Sequence, residues 1–262
     1  VTALAGRTWP EVAARAGSVL ALPLGSTEQH GPHLPLDTDT RVAVALAERL
    51  AARRPDVLVA PALPYGSSGE HAGFAGTVSI GRSALELALV ELVRSLGPEF
   101  RAAVLVVGHG GNAAPVAAAR DLLRHEGRQV VAWFARASYG DAHAGRAETS
   151  LLLALAPDAV RAGRAAAGVT RPVEELMGVL ASSGVRAVSP NGVLGDPAGA
   201  SAAEGRRLLA DLTDDLCRTV EAELGPSRPP GALLADGTGS SPGAGLNPSP
   251  PPGAPSGPGA TT

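Results

Sequence analysis

The sequence predicts an α/β fold with a mainly parallel central sheet and helices on both faces. Two observations carry this prediction. Apolar, strand-like runs at 18–24, 56–60, 102–107 and 129–135 alternate with amphipathic stretches at 38–53, 82–97, 112–127, 146–156 and 201–224, the strand–helix rhythm of a parallel sheet. The residues able to do chemistry gather in Gly- and Pro-rich segments just beyond the strands, where such sheets place their sites. By that topology, the segment after the first strand (25–39) and the segment after the third (108–112) should meet.

At 262 residues and a formal charge of -3, the chain is long enough for one large α/β domain. It carries too little charge to imply a nucleic-acid or anionic-membrane partner. There is no lysine, which excludes a Schiff-base lysine and a Walker-type phosphate loop. A lone cysteine, Cys217, excludes an internal disulfide framework, and its place in an apolar helical pattern reads as core. No run approaches the ~20 apolar residues of a membrane span, and no export signal is visible. These readings give a cytoplasmic protein. One domain is expected over 1–225, followed at 226–262 by a Pro/Gly/Ser-rich tail too poor in apolar residues to fold. Within 160–200 the segment 185–196 reads as a short strand with turns.

The first strand runs into Leu24-Gly-Ser-Thr-Glu-Gln-His-Gly-Pro-His-Leu-Pro-Leu-Asp-Thr-Asp39. Carboxylates and imidazoles crowded past a strand end are the ingredients of a metal site. Glu28 and His30, two apart in extended chain, point the same way. Asp39 opens a helix, where the dipole favours an ionised carboxylate, and is expected to bind and bridge ions. Asp37 and His33 are expected to support from behind, Asp37 by orienting a histidine. Gly108-His-Gly-Gly-Asn-Ala113 follows the third strand. It matches a G-x-G-x-x-A dinucleotide fingerprint, but no acid ends the next strand to hold a ribose. The better reading is glycines allowing close backbone approach while His109 supplies a ligand nitrogen. Glu148 shares the apolar stripe of Leu151, Leu152 and Leu155, and a carboxylate there needs a partner or a metal. His143 would border the site as a proton shuttle, with Glu70 as a second catalytic candidate. His71, Asp141 and Asn112 are candidates for substrate contact. His125, near a helix end, reads as a solvent-facing residue.

At Glu28-Gln-His-Gly-Pro-His33, Asp39, Gly108-His-Gly-Gly-Asn112 and His143-Ala-Gly-Arg-Ala-Glu-Thr-Ser150 the chain resembles the creatininase family of metal-dependent amidohydrolases. The resemblance implies a three-layer α/β/α fold, a site for two divalent metal ions and hydrolysis of an amide bond by a metal-activated water, commonly in a homo-oligomer. It implies Glu28, His30, Asp39 and His109 as ligands. Mixed nitrogen and oxygen ligands suit Zn, Fe or Mn. Creatininase itself has a glutamate ligand where this chain has Gly111, which leaves Glu148 as the replacement and argues against creatinine as substrate. So does the absence of tryptophan around His143. The loops at Ser68-Gly-Glu-His71, Gly140-Asp-Ala-His143 and Val188-Ser-Pro-Asn-Gly-Val-Leu-Gly-Asp-Pro197 are similar to a branch of the family that acts on a radical-modified ribosomal precursor peptide. That branch removes a C-terminal pair derived from Val-Tyr. The alternatives are a family amidohydrolase for another cyclic amide or formamide, and a dinucleotide-binding oxidoreductase.

Overall fold

The computed structural model describes residues 3–135 and 141–229. Strands β1 (Ser18–Leu24), β2 (Val57–Val59), β3 (Phe100–Val107) and β4 (Val130–Phe134) form one wholly parallel sheet in the order β2-β1-β3-β4. Val19 lies opposite both Val57 and Ala102, and Val104 opposite Val131. The predicted strands are therefore present, with β3 beginning two residues earlier than expected.

Seven α-helices accompany the sheet in the described residues: α1 (Trp9–Ala13), α2 (Thr38–Arg53), α3 (Arg82–Arg94), α4 (Ala113–His125), α5 (Arg146–Leu155), α6 (Val173–Val188) and α7 (Ala202–Leu224). The period of two along the strands sorts their side chains into two cores. Ala102, Val104 and Val106 of β3 join Leu46 and Leu50 of α2, Leu151 and Leu152 of α5, and Leu208, Leu212 and Leu216 of α7. Ala103, Leu105 and Val107 turn the other way, onto Leu85 and Leu89 of α3 and Val116 and Leu123 of α4. The result is the three-layer α/β/α arrangement. α7 starts at Ser201, whose hydroxyl accepts the Glu204 backbone N–H, and stops before Gly225 at φ +76°. The expected tail lies, from residue 230 on, outside the described residues. Among the described residues no helix is long and apolar enough to cross a membrane.

Two segments differ from expectation. α1, in the lead where no element was expected, is one short turn closed by the reciprocal Thr8–Glu11 capping bonds. Residues 185–196, expected as strand and turns, begin as the end of α6. That helix breaks at Gly184 (φ +74°), and the rest is loop, with one bridge between His143 and Leu194. Gly178 and Ser182-Ser183-Gly184 hide the helical period. The apolar side that reveals it, Leu176 and Leu180, packs with Phe74, distant in sequence.

At the amino end of the sheet, Asp56 is fully buried. It accepts hydrogen bonds from Arg54 (3.1 Å), Arg101 (2.8 Å) and the Ser227 hydroxyl (2.7 Å). Arg54 also donates to the Gly225 carbonyl, tying the end of α7 to β2. Burial alone would raise the Asp56 pKa; the bonds from Arg54, Ser227 and Arg101 outweigh it and lower the pKa. Asp56→Asn should destabilise the protein by about 3 kcal/mol, the scale of breaking a buried ion pair, read as a lower urea midpoint. The Asp56 contribution is complete above the unfolded carboxylate pKa of about 3.9 and is lost as pH falls through the lower folded value. The variant should therefore lose less stability than wild type across that window.

Candidate metal centre

The sheet order determines where a site can form. The chain leaves β1 towards β2 on one side and returns to β3 on the other, so the switch point lies between β1 and β3. The segments beyond those strands meet there, as predicted. Gly108 donates its N–H to the Leu24 carbonyl at 2.8 Å. A Cβ at Gly108 would lie 2.3 Å from the Asp39 carbonyl oxygen, and one at Gly25 2.5 Å from the Thr40 Cα. Glycine at both positions lets the start of α2 press against the strand ends and delivers Asp39 into the gap.

Glu28 is at the centre. It is completely buried, and neither carboxylate oxygen has a hydrogen-bond partner. His71 Nε2 and His109 Nδ1 each stand 3.2 Å from Oε1, and His143 Nδ1 at 3.9 Å, none in hydrogen-bonding alignment. An ionised carboxylate so placed is costly without a cation. His109 Nδ1, close to both Glu28 and Asp39, suits a ligand converging with them on a shared ion. Asp39 lies between two histidines: Oδ1 is 3.1 Å from His30 Nε2, and Oδ2 is 3.3 Å from His109 Nδ1 and accepts the Ser26 hydroxyl at 2.7 Å. His30 Nδ1 bonds to the Glu28 carbonyl (3.1 Å) and His109 Nε2 to the Ser67 carbonyl (3.2 Å). Each ring thus turns its other nitrogen towards the carboxylates, the arrangement that orients metal-binding imidazoles.

Among the described residues, three sets of side chains could hold an ion, their ligand atoms within 4.8 Å of one another: Glu28, Asp39 and His109; His30, His143 and Glu148; Glu28, His71 and His143. All five residues expected as ligands fall in these sets. Glu148 Oε2 is 3.9 Å from His30 Nε2 and accepts the Ala144 N–H at 2.6 Å. The charge balance agrees. Burial disfavours a charged His30, yet Asp39, Glu148 and Glu28 outweigh it and raise its pKa to about 10. Burial would raise Glu28, but His109 leads the effects that bring it down to about 2. His71, desolvated and next to His143, falls to about 4. The carboxylates draw positive charge into a dry site, which is the condition a divalent cation meets.

The remaining candidates divide. Glu70 Oε1 stands 3.3 Å from His109 Nε2. A Cβ at Gly111 would lie 2.2 Å from that oxygen and 2.4 Å from His109 Nε2, so the Glu70 carboxylate and the His109 ring occupy the room a side chain there would need. With Gly108 closed by Asp39 and Gly111 by Glu70, the segment forms no pyrophosphate cradle of the dinucleotide kind. Asn112, expected at the substrate, is fully buried. Its Oδ1 accepts the Ser67 N–H and its Nδ2 donates to the Gly25 carbonyl, pinning two loops. Asp141, also expected there, accepts the backbone N–H groups of Arg146 and Ala147 at the start of α5 and that of Asp196, and it lines the cavity that borders Asp39, His143 and Glu148. Asp37 does not orient a histidine: it lies on the surface, paired with Arg41 one helical turn on at 2.7 Å. His33 bonds to the Thr149 hydroxyl at 2.9 Å, bracing the loop against α5. Ser26 and Gln29, which carried no sequence expectation, both reach the centre.

The creatininase profile, described as creatinine amidohydrolase, matches residues 5–220. The chain belongs to the creatininase family. This creatininase-family protein is 51% identical over 201 residues to the mycofactocin precursor peptide peptidase of Mycolicibacterium smegmatis, covering 75% of this chain and 81% of that one. It is 34% identical over 190 residues to the creatinine amidohydrolase of Pseudomonas putida (58% and 71%). A crystal structure of creatinine amidohydrolase superposes with a TM-score of 0.74 at 28% identity, covering 86% of this chain and 98% of the other. Related creatininase structures are described as manganese and zinc–zinc forms. Within this family the chain is a hydrolase acting on amide bonds.

If the carboxylate between the two histidines holds the centre together, Asp39→Asn should reduce zinc retained through gel filtration to about half or less, since ligand sets bind only when complete and deprotonated. Asp37→Asn, at the surface, should leave the zinc content of purified protein unchanged by elemental analysis.

Proposed function

We propose that this protein is a metal-dependent peptidase that removes the modified, Val-Tyr-derived C-terminal pair from the mycofactocin precursor peptide. The observation that carries the metal-dependent part is the buried, unpartnered Glu28 carboxylate within reach of three imidazole nitrogens. The substrate rests on relatives of 49–51% identity that bear the name mycofactocin precursor peptide peptidase. Gly111, at the place of a creatininase ligand, favours a substrate other than creatinine.

Glu28, Asp39 and His109 would hold one ion and His30, Asp39 and Glu148 a second, with Asp39 shared. Bound there, divalent cations (Zn and/or Fe, with Mn also suited to this ligand set) supply Lewis acidity, polarising an amide carbonyl and bringing the pKa of water from about 15.7 towards about 7. Hydrolysis adds water across the C–N bond, the hydroxyl to the carbonyl carbon and the proton to the leaving nitrogen. Burial, followed by the neighbouring His30, lowers the His143 pKa and keeps its ring neutral. Its Nδ1 can therefore accept that proton and deliver it to the amine. Glu70 acts from behind, fixing the His109 ring. A cavity borders Asp39, His143 and Glu148, and Val42, Ala135, Ala147 and Leu151 form its apolar wall. That wall suits the apolar side chain of a valine-derived group.

Incubating the zinc- or iron-loaded protein with the radical-modified precursor should release the C-terminal pair by mass spectrometry, and a chelator should abolish the release. His143→Ala, with metal content retained, should slow turnover by about 10²–10⁴-fold. Intact peptide alongside hydrolysis of a small cyclic amide or formamide would overturn the substrate assignment in favour of another family amidohydrolase.

A further inference from the structure

We propose that Gln29 is a positioning residue that holds His71 and His143 both as Nε2–H tautomers but turned in opposite senses, so that His71 presents an N–H to the site and His143 a bare nitrogen. Gln29 sits between Glu28 and His30, and its side chain is buried against the 189–195 loop. Oε1 accepts the Gly31 N–H at 2.8 Å and Nε2 donates to the Gly192 carbonyl at 3.0 Å. Those two backbone groups determine which end of the amide is which. Reversed, it would set N–H against N–H and oxygen against oxygen. Gly192, at φ +81°, is what admits the amide, because a Cβ there would lie 1.9 Å from Oε1.

With the amide oriented, proton counting assigns the rings. Nε2 carries two protons. One goes to the Gly192 carbonyl, and the other points to His71 Nδ1 at 2.9 Å. His71 Nδ1 is therefore the acceptor, and the proton of the neutral ring is on Nε2, 3.2 Å from Glu28 Oε1. His143 Nε2 lies 2.7 Å from the Gln29 backbone carbonyl and 3.1 Å from Gln29 Nε2. A ring nitrogen that close to a carbonyl oxygen must carry the proton between them, and both amide protons are already committed. His143 is thus protonated on Nε2, and its bare Nδ1 faces Glu28 at 3.9 Å. The ring centroids are 4.5 Å apart. One residue, through its side chain and its own carbonyl, places a donor and an acceptor side by side.

The assignment deepens the role given to His143, and its catalytic meaning rests on that reading; the tautomers themselves need no substrate. The test is long-range 1H–15N correlation of the imidazoles in the 15N-labelled, zinc-loaded full chain, with metal content measured on the same sample. Wild type should show both His71 and His143 protonated at Nε2, with His143 Nδ1 bare. Gln29→Glu retains the acceptor for Gly31 but loses the donors. It should move the His71 proton to Nδ1 while His143, held by a backbone carbonyl, stays as it was. A change confined to one of two adjacent rings is not the result of general disruption. Should Gln29→Glu fail to fold, Gln29→Met removes both polar ends at similar length and should leave His71 a mixture of tautomers. His71 protonated at Nδ1 in wild type, or unchanged at Nε2 in either folded variant, would overturn the proposal. Loss of peptide cleavage with these tautomers intact would instead count against the proposed reaction.

Discussion

Glu28 is the constraint on which the centre depends. Its carboxylate is sealed from water, accepts no hydrogen bond, and has imidazoles on several sides. A buried carboxylate that accepts no hydrogen bond needs nearby positive charge to stay ionised. Asp39, Glu70 and Glu148 add further negative charge within the same few side-chain radii. The raised pKa of His30 and the lowered pKa of Glu28 are two expressions of one demand. A cation meets that demand without titrating away near neutrality, which is the physical reason this set of residues belongs together.

The fold delivers these groups through backbone contacts that only glycine allows. The switch point between β1 and β3 supplies the place, but Asp39 reaches it because α2 packs directly onto Gly25 and Gly108. Gly111 has a parallel role for Glu70, whose carboxylate fills the room a side chain there would need. At the opposite end of the sheet the Asp56 cluster anchors β2, β3 and the end of α7. The loops at the catalytic end thus rise from strands that are fixed below.

Much of this was legible in the sequence. Alternating apolar runs and amphipathic stretches were enough for β1–β4, α2–α5 and α7; ligand types past strand ends singled out Glu28, His30, Asp39 and His109 as candidate ligands, and a carboxylate on an apolar helical stripe singled out Glu148. What escaped had physical reasons. Asp37 and Asp39 are two apart and both acidic; which one turns inward depends on where α2 starts, and the structure turns Asp37 to Arg41. Asn112 looked available because the sequence does not show that a backbone N–H and a backbone carbonyl already engage its side chain. Gln29 gave no signal because its partner Gly192 lies 163 residues away. α6 was hidden because its period is interrupted by small residues and its apolar face meets a loop rather than the sheet.

The central claim is that the buried carboxylates converge on cations. Anomalous diffraction from crystals of the zinc-loaded protein, collected on both sides of the zinc edge, tests it most directly. The account predicts anomalous density among Glu28, Asp39 and His109 and a second peak among His30, Asp39 and Glu148, with Asp39 bound at both. Peaks confined to the surface, with Glu28 and His109 left unligated, would contradict it.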